Sequence, residues 1–194
     1  MTTSVEYGPA FNAAGEFQGI KSRPELMRCN GLYCQSAHIV MFRWRPRGDP
    51  EIAVAIRARN RPMWPFGLDF TAGGMTDATR GADGSWTYDT RYDTMIREAG
   101  EELGIDVTNF KVVELSSWVP ADGYNSVSTV YGIVWPEGVP VPHDDKEIDS
   151  IKWMSITTAV DSIRNGAVVK PDFARWLLAI DSELIQTISK MVDE

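Results

Sequence analysis

The sequence predicts an α/β chain, more closely an α+β one: a sheet with helices packed against it. Three observations lead there. Short apolar runs bounded by glycine and proline outnumber helical stretches, and two stretches carry a helical apolar stripe instead. Strand and helix patterns also mix along the chain, which favours helices layered on a sheet. No internal repeat, low-complexity tract or long linker divides the 194 residues. That length suits one domain with a sizeable core, so 1–194 is read as a single unit.

The elements follow in order. Residues 4–33 contain AFNAAGEFQGI, two short runs around Ala14-Gly15, which reads as an N-terminal hairpin. AHIVMFRW (37–44) and EIAVAIRA (51–58) are strands separated by the turn RPRGDP. LDFTAGGM (68–75) reads as a strand ending at paired glycines, and the polar TDATRGADGSWTY (76–88) as a loop. A helix starts near Asp89-Thr90, where Thr90 and Asp93 form a capping-box pattern. Tyr92, Met95, Ile96, Ala99 and Leu103 give it one apolar stripe, and Gly104 ends it. FKVVELSSWV (110–119), SVSTVYGIVW (126–135) and EIDSIKWMSI (147–156) are further strands. A short helix over 157–165 stops at Asn165-Gly166. Phe173, Trp176, Leu177, Ile180, Leu184, Ile188 and Met191 mark a C-terminal amphipathic helix over about 172–192.

Composition narrows the function. A formal charge of −8 argues against a nucleic-acid backbone or an anionic membrane as the main partner. Small phosphorylated ligands stay open, because a bound metal can supply a local positive field. MTTSVEYGPAF has neither a basic nor an apolar signal region, and no apolar run approaches about 18 residues. A cytoplasmic location is expected. Cys29, Cys34, His38 and His143 show no zinc-ligand spacing, so the cysteines are read as reduced thiols.

The informative stretch is MIREAGEELGI, residues 95–105. Glu98, Glu101 and Glu102 stand at the negative end of the helix dipole, where basic residues are favoured. Glu98 repels Glu101 at i, i+3 and Glu102 at i, i+4. At about 100° per residue all three lie within roughly one third of the circumference. Such a patch suits a hard divalent cation, which relieves both the repulsion and the dipole clash. A solvated acidic face is the alternative, and three glutamates alone do not decide between them.

The surrounding residues do. REAGEELGI resembles the core of the Nudix box, Arg-Glu-hydrophobic-x-Glu-Glu-x-Gly-hydrophobic, at Arg97, Glu98, Ala99, Glu101, Glu102, Gly104 and Ile105. AGGM (72–75) resembles the glycine segment before the box, with Gly74 as its first fixed glycine. Between the two anchors the chain departs from the pattern. Asp89 stands at the family's first fixed glutamate, and TDATRGADGSW reads as an insertion. The front half, from FNAAGEFQGIKSRPE to VAIRARNRPMWPFGLDFTAGG, resembles isopentenyl-diphosphate-isomerase-type Nudix proteins, and DKEIDSIKWMSI resembles a late acidic segment.

The resemblance implies an α/β/α sandwich with a mixed central sheet. It also implies a hydrolase that cleaves a diphosphate linkage in a nucleoside diphosphate-X type small molecule by water attack on phosphorus. Mg²⁺ or Mn²⁺ would be held by Glu98, Glu101, Glu102 and the Gly74 carbonyl. Arg97 would orient the carboxylates, and Glu98 and Glu147 are the candidate bases. Arg57 and Asp69 would contact substrate, and Arg57, Arg59 and Arg61 share one face if the strand runs that far. Trp64, Phe66, Trp86, Tyr88 and Tyr92 supply either core or a ring-stacking residue. The expected partner is a small diphosphate, with neither nucleic acid nor membrane, and proteins of this kind are often homodimers. Two alternatives stand beside this reading. An isomerase would need a catalytic cysteine where FTAGG stands and a histidine near Met75-Thr76. A non-catalytic Nudix ligand-binding module would usually have lost a box carboxylate, and here all are present.

Overall fold

The structure is a computed structural model that describes residues 5–28, 31–43, 50–118, 126–180, 185–188 and 190. The chain begins with the antiparallel hairpin β1 (Tyr7–Phe11) and β2 (Phe17–Ser22), as expected, and a one-turn helix α1 (Arg23–Leu26) follows. Next come β3 (Cys34–Arg43), β4 (Glu51–Arg57), β5 (Leu68–Asp69) and β6 (Ala72–Met75). The single strand expected over 68–75 is therefore two, broken at Phe70-Thr71. The expected loop over 76–88 contains a second hairpin, β7 (Ala78–Arg80) and β8 (Trp86–Tyr88). The helix α2 (Arg91–Glu98) precedes β9 (Val112–Trp118), β10 (Ser126–Val134), β11 (Ile148–Ser155), α3 (Ile156–Arg164) and α4 (Pro171–Leu178). The C-terminal helix expected to reach 192 thus ends its first segment at Leu178. Helix returns at 185–188, and 181–184 lie outside the described residues.

Among the described residues seven strands form one mixed sheet in the order β11-β4-β3-β10-β9, with β5 on β4 and β6 on β3. Only β3 and β10 run parallel; the other pairs are antiparallel. Strand alternation distributes β3 between two cores. Ala37, Ile39 and Met41 pack with Met95, Ala99 and Leu103 on one face. Val40 and Phe42 pack with Ile156, Phe173, Trp176 and Leu177 on the other. Helices therefore cover both faces of the sheet. Among the described residues no helix is long and apolar enough to cross a membrane.

A split in this sheet creates the site. β3 and β4 pair only at Phe42–Ile52 and Arg43–Glu51, then diverge. The segment from β5 to β6 fills the gap, pairing first with β4 and then with β3. Thr71 spans the divide: its amide donates to the Ile39 carbonyl (3.0 Å) and its hydroxyl to the Ala53 carbonyl (2.7 Å). Gly73 and Gly74 are thereby held beneath the end of α2.

Several side chains lie elsewhere than expected. β4 ends at Arg57, so Arg59 and Arg61 do not continue its face. Phe66, Trp86, Tyr88 and Tyr92 are exposed surface rather than core. Trp86 and Tyr88 instead pack on the first hairpin, with ring centroids 5.1 Å from Tyr7 and 5.4 Å from Phe17. The inserted hairpin is thus anchored by aromatic contacts distant in sequence, which its polar tip conceals.

Candidate active site

The N-terminus of α2 is closed by the expected box. Thr90 Oγ1 accepts from the Asp93 amide (3.1 Å), and the Asp93 carboxylate accepts from the Thr90 amide (3.1 Å). The other end differs from a regular helix. Ala99–Leu103 form one π turn, which Gly104 terminates at φ 65°. Such turns are rare and recur at functional sites. Glu98 and Glu102 both meet the glycine segment here.

The fit there is close. The Gly73 amide donates to Glu102 Oε2 at 3.0 Å. A Cβ on Gly74 would overlap the Glu98 carboxylate, so a side chain there would displace Glu98. Glu98 is buried, and Glu102 is partly so. Burial raises the Glu98 carboxyl above its usual range, although Arg97 opposes the shift. Burial, reinforced by the Glu98 charge, pushes Glu102 up to about 8, against the pull of the Gly73 amide and Lys170. Ionising both acids side by side is therefore costly.

Arg97 sits among the acids. It lies 2.8 Å from Glu98, 3.0 Å from Glu101, 3.2 Å from Asp89 and 3.4 Å from Asp77. It also donates to the Met75 carbonyl at 3.0 Å. Burial alone would lower its proton affinity, but the carboxylates, Glu98 foremost, raise it instead. Glu101 is exposed and meets the same Arg97 nitrogen as Glu98, at 3.0 Å. All three glutamates expected on one face border the same cleft. Among the described residues no three acidic, histidine or cysteine side chains form a ready metal cage.

These groups line a cleft of about 420 Å³, completed by Asp144, Glu147, Arg61, Arg23 and Glu6. Glu147 is ion-paired with Arg61 across its rim. Arg57 and Asp69 lie outside the cleft. They pair with each other at 2.7 Å, and Lys170 approaches Asp69 at 3.4 Å. Arg57 lines an adjoining cavity, whereas Asp69 is buried behind it. A larger, open hollow of about 600 Å³ along α3 has Asp161 as its one charged lining residue, with no convergent chemistry.

Sequence reasoning missed Asp77, Asp144, Arg23 and Glu6. Asp77 and Asp144 come from loops, and Glu6 and Arg23 from the N-terminal segment. No periodicity marks any of the four, and only the folded chain brings them to the cleft.

Comparison with known proteins extends these observations. The NUDIX domain family matches residues 35–177. No curated protein matches the chain. Among solved structures, DR0079 from Deinococcus radiodurans is similar with a TM-score of 0.70 and 19% identity, covering 89% of this chain and 97% of that one. A C. elegans Ap4A hydrolase gives 0.51 and 15%, covering 81% and 96%. The NUDIX domain of Shewanella oneidensis NrtR, complexed with ADP ribose, gives 0.51 and 11%, covering 81% and 88%. At these identities the likeness is one of fold.

Proposed function

The chain belongs to the NUDIX domain family, and from that premise we propose that it is a metal-dependent hydrolase. It cleaves a diphosphate linkage in a nucleoside diphosphate-X type small molecule by water attack on phosphorus. The observation that carries this reading is the Glu98–Glu102 pair, two acids with raised proton affinity packed on Gly73-Gly74 at the wall of an acidic cleft. The donor set fits a hard cation: oxygen ligands, partial burial and more carboxylates than Arg97 alone can neutralise. Glu98, Glu101, Glu102 and the Gly74 carbonyl would hold it. A bound Mg²⁺ or Mn²⁺ supplies charge neutralisation at the diphosphate oxygens and an acidified attacking water.

The other roles belong to the chain itself. Arg97 positions Glu98 and Glu101 through its forked contacts, so that neither carboxylate swings freely. Glu98 or Glu147 takes the proton of the attacking water, and Arg61 holds Glu147 at the rim until substrate phosphate competes for the guanidinium. Arg57 contacts substrate from the adjoining cavity, and Asp69 keeps Arg57 oriented.

The isomerase alternative gains no support from Cys34. Its thiol is buried, and burial raises its proton affinity, the reverse of an activated nucleophile. A purely ligand-binding module is disfavoured by the intact box carboxylates. The Ap4A hydrolase and the ADP ribose-bound domain among the structural neighbours agree with a nucleotide-derived substrate.

The test is a panel of nucleoside diphosphate derivatives, dinucleoside polyphosphates and prenyl diphosphates with Mg²⁺ or Mn²⁺. At least one nucleotide derivative is expected to turn over, and Glu98→Gln to lower kcat by about 100-fold or more. Unchanged turnover of every active substrate by Glu98→Gln would refute the assignment.

A further inference from the structure

The family match begins at residue 35, yet Glu6 and Arg23 from the chain before it stand in the wall of the acidic cleft. Both are fixed locally. α1 opens with a capping box, in which the Ser22 amide donates to Glu25 Oε2 at 2.9 Å. Arg23 is the first residue of that turn, and its amide donates to the Glu6 carbonyl at 2.8 Å. Nη1 of its guanidinium is ion-paired with the Glu6 carboxylate. Backbone and side chain are thus tied to one residue, and Nη2 lies 3.8 Å from Asp77 Oδ1.

Asp77 divides its carboxylate between two arginines. Oδ1 faces Arg23, whereas Oδ2 faces Nη2 of Arg97 at 3.4 Å. The other nitrogens of Arg97 are engaged elsewhere, Nη1 with Glu98 and Glu101 and Nε with Asp89. Among the described residues Asp77 is therefore the one carboxylate on Nη2, beside the Met75 carbonyl. A guanidinium is planar and its donors are rigidly forked. Fixing Nη2 therefore fixes the plane in which Nη1 meets Glu98.

The backbone at Asp77 is held as closely. Thr76 is buried; its amide donates to the Gln35 carbonyl at 2.9 Å and its hydroxyl accepts from Thr94 at 3.2 Å. A Cβ on Gly8 would lie 2.7 Å from the Thr76 carbonyl, so β1 presses on this segment. The Asp89 amide closes the inserted hairpin onto the Asp77 carbonyl at 3.1 Å. That hairpin rests in turn on Tyr7 through Trp86.

Building on the hydrolase reading, we infer that the N-terminal hairpin and α1 are part of the active site. Arg23 is a positioning residue that acts through Asp77 on Arg97, and so on Glu98. Glu6, Arg23, Asp77, Arg97 and Glu98 form a run of alternating charge from the first strand to the box. Exposed ion pairs add little to folding stability, so stability does not account for the run. What it fixes is the orientation of one guanidinium.

The test uses the full chain and two readouts. Mn²⁺ affinity is measured without substrate, from loss of the free-ion EPR signal. Steady-state kinetics use the best-cleaved compound of the diphosphate panel. Arg23→Gln removes a positive charge beside an acidic cleft, which by charge alone would tighten Mn²⁺ binding. Positioning gives the opposite sign: Mn²⁺ binding about threefold weaker and kcat about fivefold lower, with KM nearly unchanged. Asp77→Asn is expected to weaken Mn²⁺ binding and lower kcat by about tenfold. Arg23→Gln added to Asp77→Asn should then change neither readout further, because the path is already broken. All three variants are expected to melt within about 2 °C of wild type.

Tighter or unchanged Mn²⁺ binding in Arg23→Gln would overturn the inference. So would a rise in KM alone, which would make Arg23 a direct phosphate contact. Fully additive losses in the double variant, or unfolding of either single variant at the assay temperature, would overturn it as well. The hydrolase reading fails separately, when the Mn²⁺ pattern holds but no diphosphate is cleaved. Glu98-dependent hydrolysis that is indifferent to Arg23→Gln overturns the positioning role alone.

Discussion

Replacing Glu102 with glutamine removes a charge that the fold holds at a cost. Burial and the Glu98 carboxylate carry Glu102 to about 8. Its native form therefore binds a proton more tightly than the unfolded chain does. The cost of ionising it is absent below the usual carboxylate range, grows through neutral pH and is complete above about 8. Each tenfold of proton affinity is worth about 1.4 kcal/mol, which bounds the full cost at about 5 kcal/mol. Glu98 shares the repulsion and the cleft is open to water, so about 2 kcal/mol is the net expectation. Glutamine keeps an oxygen to accept the Gly73 amide. In EDTA, calorimetric unfolding should show Glu102→Gln melting about 4–8 °C above wild type at pH 8. The gap should close towards pH 4.5, and saturating Mg²⁺ should stabilise wild type more than the variant. A variant that is less stable in EDTA at pH 8, or a gap independent of pH, would refute the reasoning.

Three further perturbations follow. Gly74→Ala inserts a methyl where the Glu98 carboxylate lies; it should cost about 1–3 kcal/mol in denaturant unfolding and weaken the Mg²⁺-induced rise in Tm, and an unchanged Mg²⁺ response would count against the cradle. Arg97→Lys cannot keep forked contacts to Asp89, Glu98 and Asp77 with one ammonium; steady-state kinetics should show kcat falling about 10-fold or more with a smaller change in KM. Thr90→Ala deletes the cap of α2; chemical denaturation should record a loss of about 1 kcal/mol with little effect on turnover.

What could be read from the sequence was largely local. The cap at Thr90 and Asp93 and the stripe through Met95, Ala99 and Leu103 depend on neighbours within two turns, and all reappear in α2 and its extension. The π turn did not show, because hydrophobic spacing records which residues are buried and not whether an amide bonds one residue further back. The hairpin at 76–88 was hidden for another reason. Its polar residues suggest a loop, while its fixed points are rings on Tyr7 and Phe17, 79 and 71 residues away. Arg57 and Asp69 were both identified as candidates, yet their pairing depends on β4 and β5 meeting in the split sheet. Arg97 was read as the residue that orients the acids. Its contacts with Asp77 and Asp89 reveal how the inserted segment joins the site.

The proposed reaction is water attack on phosphorus at the Glu98–Glu102 cleft. Turnover of the best nucleotide substrate in ¹⁸O-water with Mg²⁺, followed by mass spectrometry of the products, tests it most directly. One ¹⁸O is expected in a phosphoryl product and none in the group X, with Glu98→Gln slowing incorporation by about 100-fold or more. Label in X, or incorporation at the wild-type rate in Glu98→Gln, would contradict it.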